Sequence, residues 1–182
     1  MRLLWLTFTL LLAGLGYWRL RTPAAPPRPA PAAIAPLGPA PSAVAIAPPA
    51  LADSVVRFAL AQRGVAYCYA GTSPATGFDC SGFVQYVFGR FGVETPHSTA
   101  LLIEVGRPLA RPQARPGDIV VFTSTEPGST TPGHAGIVIS ALGELPLRFV
   151  HASSARRESG VKVSTVEGSG YEARFLGVRR VL

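Results

Sequence analysis

Apolar positions fall into three textures along the chain. Residues 3–18, LLWLTFTLLLAGLGYW, form one uncharged apolar run between Arg2 and Arg19. Residues 22–50 show no period. From Leu51 the pattern becomes that of a globular domain of roughly 130 residues, long enough to bury a core of its own. Asp53 reads as an N-cap, with Val55, Val56, Ala59 and Leu60 on one face of a helix that ends at Gly64. Asp79 reads as a second N-cap, opening a helix that runs to Gly92. Its apolar positions Phe83, Val84, Val87, Phe88 and Phe91 recur at helical spacing and form one stripe. A shorter helical signal covers Ser98–Val105. After Pro116 the texture changes to strands at Ile119–Phe122, His134–Ile139, Leu147–His151, Val161–Thr165 and Phe175–Val181, divided by Gly, Ser and Pro. Helices first and strands second predict an α+β domain with an antiparallel sheet and no internal repeats.

Composition changes the picture mainly at the N-terminus. The formal net charge is +7, yet Arg2, Arg19, Arg21 and Arg28 supply +4 of it within the first 50 residues, which hold no acid. The excess therefore lies largely outside the folding part, with no Lys/Arg cluster interleaved with aromatics, and a nucleic-acid partner is not expected. The apolar run would span ~24 Å as a helix, against a hydrocarbon core of ~30 Å. Its charge-then-apolar layout predicts a signal peptide or N-terminal membrane anchor over residues 1–21, and hence an exported, periplasmic or cell-envelope domain. Residues 22–50 hold 10 Pro and 11 Ala, a density that forbids helix and sheet and predicts a disordered linker ahead of a folded domain at 51–182. A monomer is the default expectation.

The chemistry centres on Cys80. It stands in the first turn of the second helix, where unpaired amides and the positive helix end favour a thiolate and lower a cysteine pKa. The competing reading is an inert buried thiol. A thiolate nucleophile needs a base and an orienter, and the chain has three histidines, His97, His134 and His151. If the strands carrying His134 and His151 form a hairpin across 140–145, one register sets the two imidazoles directly opposite each other, base beside orienter. A slip by one residue would separate them onto opposite faces. His97 reads as a rim histidine. Cys68 reads as a core thiol, since alternation through 66–71 sends Tyr67 and Tyr69 to the other side. A Cys68–Cys80 disulfide and a Cys80–His134–His151 zinc site are the less favoured alternatives: the first would consume the nucleophile, and the second matches no metal spacing.

The motifs Tyr67-Cys-Tyr-Ala-Gly, Phe78-Asp-Cys-Ser-Gly-Phe-Val, Pro116-Gly-Asp-Ile-Val-Val-Phe, Gly133-His-Ala-Gly-Ile-Val-Ile and Phe149-Val-His-Ala-Ser, in that order, resemble the NlpC-like cell-wall cysteine peptidases. The resemblance covers Ser54 to Val181. It implies a papain-like fold, N-terminal helices packed on an antiparallel sheet or partial barrel. It further implies Cys80 as nucleophile, His134 as general base and His151 as the third, orienting residue. Tyr67 would complete an oxyanion hole with the Cys80 backbone amide, and Asp79 and Ser81 would help hold the amino end of the substrate. The implied reaction is hydrolysis of the D-γ-glutamyl–diamino acid bond in peptidoglycan peptides, without metal or organic cofactor. The alternatives are an amidase or acyltransferase using the same triad, and a catalytically silent wall-binding module. Members usually carry Pro before the tyrosine and Trp-Gly-Gly after it, and often Arg before the serine at position 98. Here Ala66, Cys68, Tyr69, Ala70, Gly71 and His97 stand in those places, departures that touch the groove walls.

Overall fold

The computed structural model describes residues 50–182. The signal or anchor segment and the Pro/Ala-rich linker expected before it lie outside the described residues. Helix α1 spans Leu51–Ala61 and buries Val55 and Ala59. Its N-cap is Ala50, which makes no side-chain hydrogen bond, and Asp53 sits instead inside the first turn. There its charge opposes the helix dipole favourably without capping, a correction to the sequence reading. Two short strands, β1 (Thr72–Ser73) and β2 (Gly77–Phe78), form a hairpin that leads straight into helix α2, Cys80–Gly89. Asp79 caps α2 as its sequence predicts, the Oδ1 atom accepting from the Gly82 amide at 2.7 Å. The regular helix stops at Gly89, and a turn carries the chain to Gly92. Phe83, Val84, Val87 and Phe88 are fully buried, and Phe91 is half-buried beside them.

Helix α3 is one turn, Thr99–Leu102, shorter than its signal. Strands β3 (Arg107–Leu109), β4 (Ile119–Thr123), β5 (Pro132–Val138), β6 (Arg148–Ser153), β7 (Gly160–Thr165) and β8 (Phe175–Arg180) make one antiparallel sheet in the order β3-β8-β4-β5-β6-β7. The sheet is open, since β3 and β7 do not pair. β3 was not visible as a strand in the sequence, because Arg-Pro-Leu has no alternation to read. Ile119, Val121, Ala135, Ile137 and Val150 face α1 and α2 in the main core. Val120, Phe122, Val138, Phe149 and Val178 face the other way and form a second, smaller core. An ion pair ties the last strand to the start of β4, with the partly exposed Arg180 donating from both Nε and Nη2 to the buried Asp118 at 2.8 Å. Among the described residues no helix is long and apolar enough to cross a membrane.

The junction before α2 depends on close backbone contact. Phe78 accepts from the Cys68 amide at 3.0 Å and donates to Ala66 at 3.0 Å, so residues 66–68 run beside β2. The Gly71 carbonyl then lies directly on Gly82 in the first turn of α2, where a Cβ would strike it and would also meet His97 Nε2 at 3.1 Å. Gly82→Ala is therefore expected to destabilise the domain by about 1–3 kcal/mol. Gly89→Ala, which meets nothing within 4 Å, is expected to be neutral or to stabilise by up to about 1 kcal/mol. Thermal unfolding of the two variants beside the wild type checks the contrast, and equal shifts would contradict it.

Candidate active site

Cys80 and His134 line one recess beside the first turn of α2, and His151 on β6 lies against His134. The Cys80 thiol sits against the backbone amide of Ala135, the residue after His134, and against the amides of Ser81 and of Cys80 itself. His134 and His151 lie on the sheet face of the smaller core. The two rings meet directly, His134 Nε2 to His151 Nδ1 at 2.8 Å, with their planes nearly perpendicular. The register that brings them together differs from the expected one. Ile137 pairs with Val150 and Val138 with Phe149, two residues away from the pairing that would oppose the histidines. A two-residue slip preserves the face, so the imidazoles meet diagonally rather than head-on. Gly136 makes this possible, since a Cβ there would meet the His151 Cβ at 3.0 Å and the Phe149 ring at 2.7 Å.

Beyond His151 the chain of contacts continues: its Nε2 lies 2.9 Å from Ser164 Oγ on β7. Aromatic rings enclose the pair. Tyr171 stacks on His134 at 5.6 Å and meets His151 edge-on at 5.4 Å, while Phe149 lies 4.8 Å from His151 and Phe122 6.1 Å from His134. Burial in this cage, reinforced by Arg174 and Lys162, holds the His134 pKa far below the ordinary imidazole value. Burial likewise depresses His151, with His134, Lys162 and Arg174 adding to the effect. Both rings are neutral near pH 7. Burial, and then the Asp79 carboxylate, push the Cys80 thiol up, outweighing the amides that pull it down. This reverses the expectation of a lowered cysteine pKa: the resting site is a neutral thiol beside neutral imidazoles.

Tyr67 lines the cleft beside Cys80 and packs partly against the main core. Burial raises its pKa, helped by Cys80 and Asp79, so its hydroxyl keeps its proton. Asp79 is heavily engaged: beside the Gly82 amide, Oδ1 accepts from the buried Ser81 hydroxyl at 3.1 Å, and Oδ2 lies 2.8 Å from His97 Nε2. His97 is thus not a detached rim residue but a direct neighbour of the capping carboxylate; its place before Ser98 put it on the groove wall, but nothing in the sequence announced the contact with Asp79. Cys68 is exposed rather than buried, and both cysteines are free thiols. A turn closed by the Gly71 amide on the Cys68 carbonyl, with Ala70 at φ +57, ends the alternation that would have buried it.

Two cavities meet at the thiol and share Tyr67, Cys80 and Gly133. The larger, about 460 Å³, extends past Asp79, Ser81 and His97. The smaller, about 270 Å³, extends past His134, Ser153, Tyr171 and Arg174. Ser164, Tyr171 and Arg174 were not legible as site residues, because Ser164 is one of many strand hydroxyls and the other two lie in the irregular segment before β8.

A helix carrying a cysteine at its N-terminus, packed on an antiparallel sheet that supplies paired histidines, defines a papain-like architecture. The chain belongs to the NlpC/P60 family, whose model matches residues 64–180. It is 38% identical over 136 residues to a gamma-DL-glutamyl hydrolase of Bacillus subtilis, a match covering 74% of this chain and 30% of that protein. It is 39% identical over 121 residues to the murein DD-endopeptidase MepS/murein LD-carboxypeptidase of Escherichia coli, covering 66% of this chain and 57% of that one. The chain thus matches only about a third to somewhat over half the length of these relatives. RipD of Mycobacterium tuberculosis, described as a non-catalytic NlpC/p60 domain protein adapted to peptidoglycan binding, superposes with a TM-score of 0.55 at 25% identity. That match covers 74% of this chain and all of that one.

Two measurements test the electrostatics. Peptide-resolved alkylation by iodoacetamide is expected to show Cys80 reacting only as pH rises past the ordinary thiol range, with no plateau of reactivity between pH 4 and 7. A low-pH plateau would instead reveal a resting thiolate–imidazolium pair. The second concerns acid stability. A histidine whose folded pKa lies below its unfolded value near 6.5 adds stability that is complete above that value and lost as pH falls. Each of His134 and His151 is expected to account for up to about 2 kcal/mol of lost stability by pH 5. Denaturant unfolding between pH 5 and 8 should show a shallower pH slope in His151→Gln than in the wild type, and equal slopes would overturn the assignment.

Proposed function

We propose that this domain is a thiol hydrolase that cleaves an amide bond in peptidoglycan stem peptides, acting outside the cytoplasm. The carrying observation is that Cys80 sits at the amide of Ala135, the residue after His134, while His134 meets His151 and His151 meets Ser164. A silent binding module has no physical need for that arrangement. The names of the matched hydrolase and endopeptidase support the substrate class. The proposed bond is the one between a D-γ-glutamyl carbonyl and the amine of a diamino acid, and residues 3–18 serve as export signal or membrane anchor.

In the proposed mechanism Cys80 is the nucleophile, His134 the general base and His151 the orienting residue. For His134 to take the thiol proton, one ring nitrogen must be unprotonated. With Nε2–H donating to His151 Nδ1, and His151 Nε2–H donating to Ser164, Nδ1 of His134 is left as the acceptor. Because the resting groups are neutral, proton transfer accompanies attack of Sγ on the carbonyl carbon rather than preceding it. The tetrahedral oxyanion accepts hydrogen bonds from the Cys80 amide and the Tyr67 hydroxyl. Collapse breaks the C–N bond, and His134 returns the proton to the departing amine, leaving a thioester on Cys80. Water then attacks the thioester, gives its proton to His134, and the thiol is restored. Asp79 and Ser81 hold the amino end of the peptide in the larger cavity, with His97 closing the far side of the carboxylate.

Digestion of purified muropeptides under reducing conditions, with products read by mass spectrometry, tests the proposal. Wild type is expected to cut between the second and third stem residues, and Cys80→Ala and His134→Ala to yield no product. Tyr67→Phe is expected to lower kcat by about 10²-fold, the size of a lost oxyanion donor. Intact muropeptides after wild-type treatment would overturn the peptidase reading.

A further inference from the structure

Arg174 is the charged group in the smaller cavity that the mechanism leaves unused. Its Nη1 donates to the Thr123 carbonyl at 3.1 Å and its Nε to the Gly170 carbonyl at 3.3 Å. Its guanidinium stacks over the Tyr171 ring at 4.8 Å. These contacts fix the plane of the guanidinium without neutralising it: among the described residues, none of the ion pairs includes Arg174. The group is only partly exposed and lines the same cavity as Cys80 and His134, with the hydroxyl-bearing residues Ser124, Thr125, Ser153 and Ser154 around it. A held, unpaired cation in a hydroxyl-rich recess is suited to a carboxylate, which accepts from a guanidinium and hydroxyls together.

The position of the base decides which part of the substrate reaches it. His134 must pass its proton to the departing nitrogen, so that nitrogen and its substituents lie on the His134 side of Cys80. That side is the cavity of Arg174, while the acyl part occupies the cavity of Asp79. The cleft is therefore polarised, with a carboxylate at the acyl end and a guanidinium at the amine end. We propose that Arg174 is a specificity-determining residue that binds a free carboxylate on the amine-side fragment, so that peptides whose departing residue ends in a carboxylate are preferred. This rests on the peptidase reading given above. It selects short, uncapped stems over stems that continue beyond the diamino acid.

The test compares the full chain on L-Ala-γ-D-Glu-diaminopimelate and on the same peptide with the carboxylate next to the scissile nitrogen converted to an amide. Wild type is expected to favour the free acid by about 10- to 100-fold in kcat/KM, the scale of one charge-assisted hydrogen-bonded pair. In Arg174→Gln that ratio is expected to fall close to one, and in Arg174→Lys to recover in part, with melting curves confirming that each variant folds. Because the acid-to-amide ratio is read first in the wild type, a poorly folding variant does not remove the test. Cleavage of both peptides at equal kcat/KM, or a preference that survives in folded Arg174→Gln, overturns the Arg174 assignment while leaving the peptidase standing. Cleavage of neither overturns the peptidase reading, and this one with it.

Discussion

The strand-to-helix junction at Phe78-Asp79-Cys80 is the constraint on which the rest of the site depends. Backbone pairing of Phe78 with Ala66 and Cys68 fixes Tyr67 alongside, and the Asp79 cap fixes the first turn of α2. The Gly71 carbonyl resting on Gly82 locks these two pieces together. Because the aromatic ring of Phe78 is fully buried among Phe83 and Tyr86, the junction draws its rigidity from the main core. Thiol, tyrosine and capping carboxylate are thus placed by one packed element, and only the histidines arrive from elsewhere.

The histidines come from the other side of the sheet, and their surroundings differ in kind. Where the Cys80 end is made of backbone amides and a carboxylate, the histidine end is an aromatic cage bordered by two cations. Arg174 lines the recess beside His134, and Lys162 pairs with His151 across β6 and β7; both make protonation less favourable, on top of the larger cost of desolvation. A third residue that is itself a neutral imidazole offers no negative charge to offset that cost. If His134 acts as the proposed base, such a site orients it well but keeps it neutral, so the energy needed to form imidazolium would have to come from contacts made as the substrate reacts.

Much of this was legible in the sequence, for reasons that differ between elements. Asp79 and the stripe from Phe83 to Phe88 announced α2, since capping chemistry and helical spacing agree there. The strands β4 to β8 were visible through β-branched alternation between glycines. The pairing of β5 with β6 was wrong by two residues because the intervening loop carries no turn signal that fixes register, yet the period of two kept both histidines on one face. Local pattern misled at Asp53 and at Cys68, where a backbone turn overrode alternation. The family motif put His97 on the groove wall but not its pairing with Asp79, while Ser164, Tyr171 and Arg174 were hidden altogether, because each reaches the site through tertiary packing and not through any spacing along the chain. The ordered motifs placed the family at once; the electrostatic state of the cysteine required the structure.

The neutral resting state has one more consequence. Peroxides and other oxidants attack the thiolate form of cysteine, and each further step up the oxidation ladder is harder to reverse. In the proposed mechanism Cys80 keeps its proton until a substrate carbonyl lies against it, and so is a slow target during idle time. Cys68, exposed and outside the cage, is the thiol that oxidants meet first. Burial at this site therefore keeps both histidines neutral and, by holding the proton on Cys80, lengthens the chemical lifetime of that thiol.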